Sequence, residues 1–177
     1  MNTKLITRTA MLIALLVAVQ YVTKSAGQIV TGSCVNLILA VAALVGGVWC
    51  GAAVALISPF CAFLLGIGTP ILRLVPAIAL GNLVFVLILA LLSGKLNVKA
   101  ANVLSVLLAA VCKFLLLWGL IVGLLLPSMG LPSEKVAALS ATFSYPQLIT
   151  ALIGGGLSLL VVPSLKKAVK QQSKNRI

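Results

Sequence analysis

Residues 34–67 form one apolar stretch with no charged side chain. As a single helix, those 34 residues would be roughly 50 Å long at about 1.5 Å per residue. The hydrocarbon core of a bilayer is only about 30 Å thick. The stretch must therefore fold back on itself, and Gly46, Gly47 and Gly51 mark the turn. Split there, it gives spans at about 34–48 and 50–67. Four more apolar runs, at about 5–22, 72–92, 101–126 and 145–165, bring the count to six. The expected fold is an all-α membrane protein: a six-transmembrane-helix bundle forming a single integral domain over 1–177. Loops are expected at 23–33, 93–100 and 127–144. Composition agrees, with 62% hydrophobic and 8% charged residues against roughly 25% charged in soluble domains.

Charge sets the orientation. With six spans both termini share a side, and Lys4 and Arg8 join Lys95, Lys99, Lys166, Lys167, Lys170, Lys174 and Arg176 there. Only Lys24, Arg73 and Lys135 fall opposite. Nine against three is a positive-inside bias, so both termini are expected in the cytoplasm. An alternative reads the N-terminus as a signal peptide with a small-residue cleavage region at Ser25-Ala26-Gly27. That leaves five spans and breaks the bias. The net charge of +12 raises nucleic acid as a partner. No basic amphipathic face with interleaved aromatics supports it, so no nucleic-acid partner is expected.

The inventory of reactive groups is short. Glu134 is the one acidic residue, and there is no Asp or His. Carboxylate pairs, nucleophile–base triads and carboxylate proton relays are therefore excluded, and the chain is not expected to be an enzyme. Cys34, Cys50, Cys61 and Cys112 form no C-x-x-C pair, so buried thiols are expected and no metal or cofactor. With 177 residues and no Gly-x-x-x-x-Gly-Lys-Ser/Thr pattern, ATP-driven work would need another protein as motor. Pro76 and Pro146 suit first helical turns, and Pro59 falls inside a span.

Lys113 interrupts the otherwise apolar run 103–126. An ammonium at mid-membrane costs on the order of 3 kcal/mol. With no acidic neighbour, it needs backbone carbonyls, hydroxyls and water, or a bound anion. Other polar residues in or near the outer half are Asn36, Arg73, Asn82, Tyr145, Gln147 and Thr150, with Gln28 and Thr31 in the first outer loop. Turned inward, they make mostly apolar walls with a few convergent polar groups, the pattern of a small-molecule pocket. Each also has a plainer role. Asn82 suits an interhelical hydrogen bond, Arg73 an interfacial anchor, Tyr145 an aromatic belt and Gln147 a helix cap. Arg73 and Asn82 lie nine residues apart, on opposite faces of an ideal helix. Ala10, Ala14 and Ala18 put small residues on one helix face, either for a partner helix or for a contact within the bundle.

Taken together, the chain resembles the substrate-binding membrane subunit (S component) of an energy-coupling factor (ECF) transporter. The resemblance rests on small size, six spans, the basic entry Leu5-Ile6-Thr7-Arg8-Thr9-Ala10, the alanine ladder, Gly81-Asn82 and the Lys-rich tail. It implies capture of a vitamin or related micronutrient at the outer face of a bacterial plasma membrane. It implies as partners a transmembrane coupling protein and two ABC ATPases, which topple the subunit to deliver its cargo. It assigns Ala10, Ala14 and Ala18 to the coupling protein. It assigns Asn82, Lys113, Tyr145 and Gln147 to the pocket, with Gln28 and Thr31 in its lid. Lys113 and Arg73, without acidic partners, favour an anionic or carboxylate-bearing ligand. The alternatives are a self-contained small-solute channel or facilitator and a non-transport membrane assembly factor.

Overall fold

A computed structural model describes the backbone of residues 3–93 and 99–174, and the side chains of 3–93 and 102–171. Lys95, in the loop expected at 93–100, and Arg176 lie outside the described residues, as do the side chains of Lys99 and Lys174. Every regular element described is helical. In chain order these are α1 (Thr3–Thr23), a 3-10 turn (Lys24–Ala26), α2 (Gln28–Gly46), α3 (Val48–Leu64), a second 3-10 turn (Leu72–Leu74), α4 (Val75–Leu92) and α5 (Lys99–Leu117). A π-helical stretch (Trp118–Leu125) continues α5 into the short α6 (Leu126–Ser128), followed by α7 (Ser133–Thr142) and α8 (Tyr145–Lys174). Five of the helical segments are long and apolar enough to cross a membrane, and α3, at 17 residues, is a shorter apolar helix.

The fold-back predicted in 34–67 is made by one residue. Gly47, at φ +89°, ends α2 and begins α3. That positive φ is costly for a residue with a Cβ and free for glycine. Gly51 is not part of the turn. It lies inside α3, where its bare Cα faces Ala43 and Val86. Pro76 and Pro146 fall in the opening turns of α4 and α8, where the missing N–H costs nothing.

Two loop expectations and one span boundary need correction. Residues 28–33 are the first turns of α2 rather than loop, because their hydroxyls are absorbed locally. Thr31 Oγ1 donates to Thr23 O at 2.7 Å, tying α2 to the end of α1, and Ser33 Oγ donates to Ile29 O at 2.7 Å. The segment 127–144 contains α7, which is exposed and only 10 residues long. The last apolar run continues as helix past Leu165 through the basic tail to Lys174.

Helix α2 is the hub. It packs most extensively on α8 and also against α1, α3 and α4, while α4 and α5 close the bundle between α3 and α8. The α2–α8 crossing is close because Gly154 presents no side chain. A Cβ there would stand 2.4 Å from Ser33 O and 2.7 Å from Asn36 Cβ. The main core joins residues such as Leu16, Leu39, Val54, Phe85, Leu89 and Ala109. A second core gathers Leu74, Leu117, Ile121, Leu126 and Phe143 near the end where α4 and α8 begin.

A cavity floored by a buried lysine

The starts of α2, α4 and α8 and the ends of α1, α3 and α7 meet at one end of the bundle and enclose a cavity of about 530 Å³. That volume lies within the roughly 300–1,000 Å³ common for small-molecule sites. Lys24 and Gln28 are exposed at its rim, and Phe63, Ile78, Leu139 and Phe143 supply apolar wall. Lys113 also lines it, from the last turns of α5 and only 3% exposed.

Among the described residues, the ammonium is held by neither backbone nor acid. Lys113 Nζ donates to Asn36 Oδ1 at 2.6 Å and to Asn82 Oδ1 at 2.8 Å. The choice expected from sequence, between carbonyls, hydroxyls and water or a bound anion, omitted these side-chain amides. Hydrogen bonds to a charged group contribute about 1.5–3 kcal/mol each. Two of them therefore offset an insertion cost of about 3 kcal/mol. The buried Phe85 ring adds its face at 5.4 Å from Nζ.

The network extends further. Asn36 Nδ2 donates to Gly32 O at 2.9 Å and to Thr150 Oγ1 at 3.3 Å, and Thr150 Oγ1 donates to Gln147 O at 3.2 Å. One ammonium thus ties α2, α4 and α5 together, and Asn36 carries the tie to α8. An ammonium has three donors. Two are engaged by these amide oxygens among the described residues.

Of the residues singled out from sequence, Asn36, Asn82, Lys113, Gln147, Gln28 and Thr31 all line this cavity. Gln28 and Thr31 do so from helix α2 rather than from a loop lid. Gln147 is 8% exposed and donates through Nε2 to Thr142 O at 3.2 Å, so it also secures the α7–α8 junction. Two residues are not brought in. Arg73 is exposed on the 3-10 turn before α4 and does not line the cavity. Tyr145 is 73% exposed at the start of α8, stacked on Phe114 at 6.1 Å between ring centroids. Ala10, Ala14 and Ala18 are all exposed, so the bundle does not use that face for its own packing.

Sequence reasoning passed over three cavity residues. Gln20, Ser58 and Thr69 line the cavity, while their oxygens Oε1, Oγ and Oγ1 are turned out of reach of solvent and have no hydrogen-bond partner among the described residues. The available signals were slight: a hydroxyl beside Pro59 in an apolar helix, and a threonine between Gly68 and Pro70.

The cavity is lined by two lysines and no acidic side chain. No curated protein and no solved structure matches the chain. Residues 4–165 match the family described as ECF transporter, substrate-specific component. With nearly the whole length covered, a multi-pass helical body and a small-molecule cavity, the chain belongs to that family and is a substrate-binding membrane subunit of an ECF transporter.

Proposed function

We propose that the chain captures a vitamin-class micronutrient bearing a carboxylate or other anionic group at the outer face of a bacterial plasma membrane. The observation that carries this reading is the buried Lys113, bonded to two amide oxygens, at a cavity that has no acidic lining residue. In this reading α3 is the sixth crossing, which puts both termini in the cytoplasm with the basic tail of α8. The cavity then opens at the opposite, outer end, where Lys24 and Arg73 lie.

The exposed Ala10, Ala14 and Ala18 face is the docking surface for the transmembrane coupling protein. In lipid, helices associate by close packing, which small residues permit. Two ABC ATPases on that partner supply the energy. The test is co-expression of the chain with a coupling protein and paired ATPases, purification in mild detergent, and mass spectrometry of the small molecules retained. A stable complex carrying an acidic metabolite supports the reading. Solute flux through the isolated chain in liposomes, with no ATPase present, favours a facilitator instead.

A further inference from the structure

Helix α8 is longer than a membrane crossing requires. It begins at the cavity end with Tyr145 and runs 30 residues to Lys174, about 45 Å at about 1.5 Å per residue. The hydrocarbon core takes up about 30 Å of that length, and the headgroup layer on each face roughly another 5–8 Å. Counted from Tyr145, the core ends near Leu165, and Lys166, Lys167 and Lys170 fall within about 8 Å beyond it. All three are therefore at headgroup depth.

The local pattern leaves them outside the bundle. Val162 is buried and Val169, seven residues on, is half-buried, so that stripe of α8 faces the other helices. Lys170 lies four residues from Lys166 and three from Lys167, which makes the three lysines neighbours on another side of the helix. All three are exposed. The chain offers them no acidic side chain. Glu134 is its one acidic residue, and it is in α7, whose last turn lines the cavity at the opposite end. Basic residues clustered just past a membrane-spanning helix are attracted to anionic lipid, each adding to the binding.

We propose that Lys166, Lys167 and Lys170 form a binding face for the headgroup of an anionic phospholipid, which pins the exit of α8 at the membrane surface. A protein partner would have to push an acidic patch into the headgroup layer to reach Lys166 and Lys167, whereas lipid phosphates are already at that depth. This face needs α8 to cross the membrane and needs no guest in the cavity.

The test is a binding titration of dihexanoyl phosphatidylglycerol onto the full chain in a neutral detergent, compared with dihexanoyl phosphatidylcholine, which carries the phosphate without the net charge. Phosphatidylglycerol is expected to bind at least about tenfold more tightly, and high salt to erase the difference. Lys166→Gln, Lys167→Gln and Lys170→Gln are each expected to raise its Kd about fivefold. Because the three side chains are exposed, these variants should melt at the wild-type temperature. Lys135→Gln, in α7, lies far beyond the screening length and should change the Kd by no more than about twofold.

Equal affinity for the two lipids overturns the proposal. So does wild-type affinity in all three variants, or an equal loss in Lys135→Gln, which would make the attraction one of net charge alone. Glycerol phosphate binding as tightly as the lipid makes this a site for free phosphate and overturns it too. A triple Gln variant that holds phosphatidylglycerol normally but no longer co-purifies with the ATPases makes the face a protein contact instead. None of these results bears on the cavity, whose cargo is tested separately.

Discussion

The bond between Lys113 and Asn82 can be tested by the cost of removing one partner in two backgrounds. Asn82 is 3% exposed and accepts from the ammonium at 2.8 Å. In the wild type, Asn82→Leu leaves the charge buried with one acceptor instead of two. The loss is that of one hydrogen bond to a charged group, about 1.5–3 kcal/mol. In a Lys113→Met background the same substitution removes an amide oxygen that has already lost its donor, so the expected cost is near zero or the change stabilises. The difference between the backgrounds is a coupling energy of about 1.5–3 kcal/mol, within the range for residues in direct contact. At about 2–4 °C per kcal/mol for a chain of this size, it reads as roughly 3–12 °C between expected and additive melting points. Thermal denaturation of the four proteins in the same detergent measures it. If Asn82→Leu costs the same in both backgrounds to within about 0.5 kcal/mol, the two side chains are not bonded and the account of the cavity floor fails.

Other expectations are direct. Ala14→Leu on the exposed α1 face should leave ligand-induced stabilisation intact while weakening co-purification with the coupling protein at least about tenfold, or about 1.4 kcal/mol. Gly154→Ala should destabilise by about 1–3 kcal/mol in thermal melts, because its Cβ would meet Ser33 O at 2.4 Å. Gly156→Ala, with nothing within 4 Å of the new methyl, should stay within about 0.5 kcal/mol of wild type. Arg73→Gln and Tyr145→Ala lie outside the cavity lining, so affinity for the small molecule that co-purifies with the chain should change by no more than about twofold in a binding titration.

Much of the helical layout is legible in the residues because lipid imposes length. The apolar stretch 34–67 was too long for one crossing, and Gly47 was among the three glycines named for the break. Lys113, Asn36, Asn82 and Gln147 were legible as inward-facing because a polar group in an apolar run has few other places to go. What failed has physical causes. The spans are apolar around their whole circumference, so hydrophobic periodicity does not say which way a helix is turned. Arg73 and Tyr145, at helix ends, can reach either water or the cavity, and both went to the outside. Gln28 and Thr31 looked like loop because Thr31 and Ser33 are polar, but those hydroxyls bond to backbone carbonyls and the helix absorbs them. Ser58 was overlooked for the converse reason: a serine in an apolar helix ordinarily hides its hydroxyl against its own backbone, and this one does not.

The knot of bonds around Lys113 has a mechanical consequence. It cross-links α2, α4 and α5 directly and α8 through Asn36, all beneath the cavity and near the middle of the bundle. Opening a path straight down from the cavity would require prising those helices apart and stranding a charge in the process. The inner wall of the cavity is therefore a welded base, four helices fastened through one side chain, and it resists being parted more than any other face of the bundle that lacks such a tie.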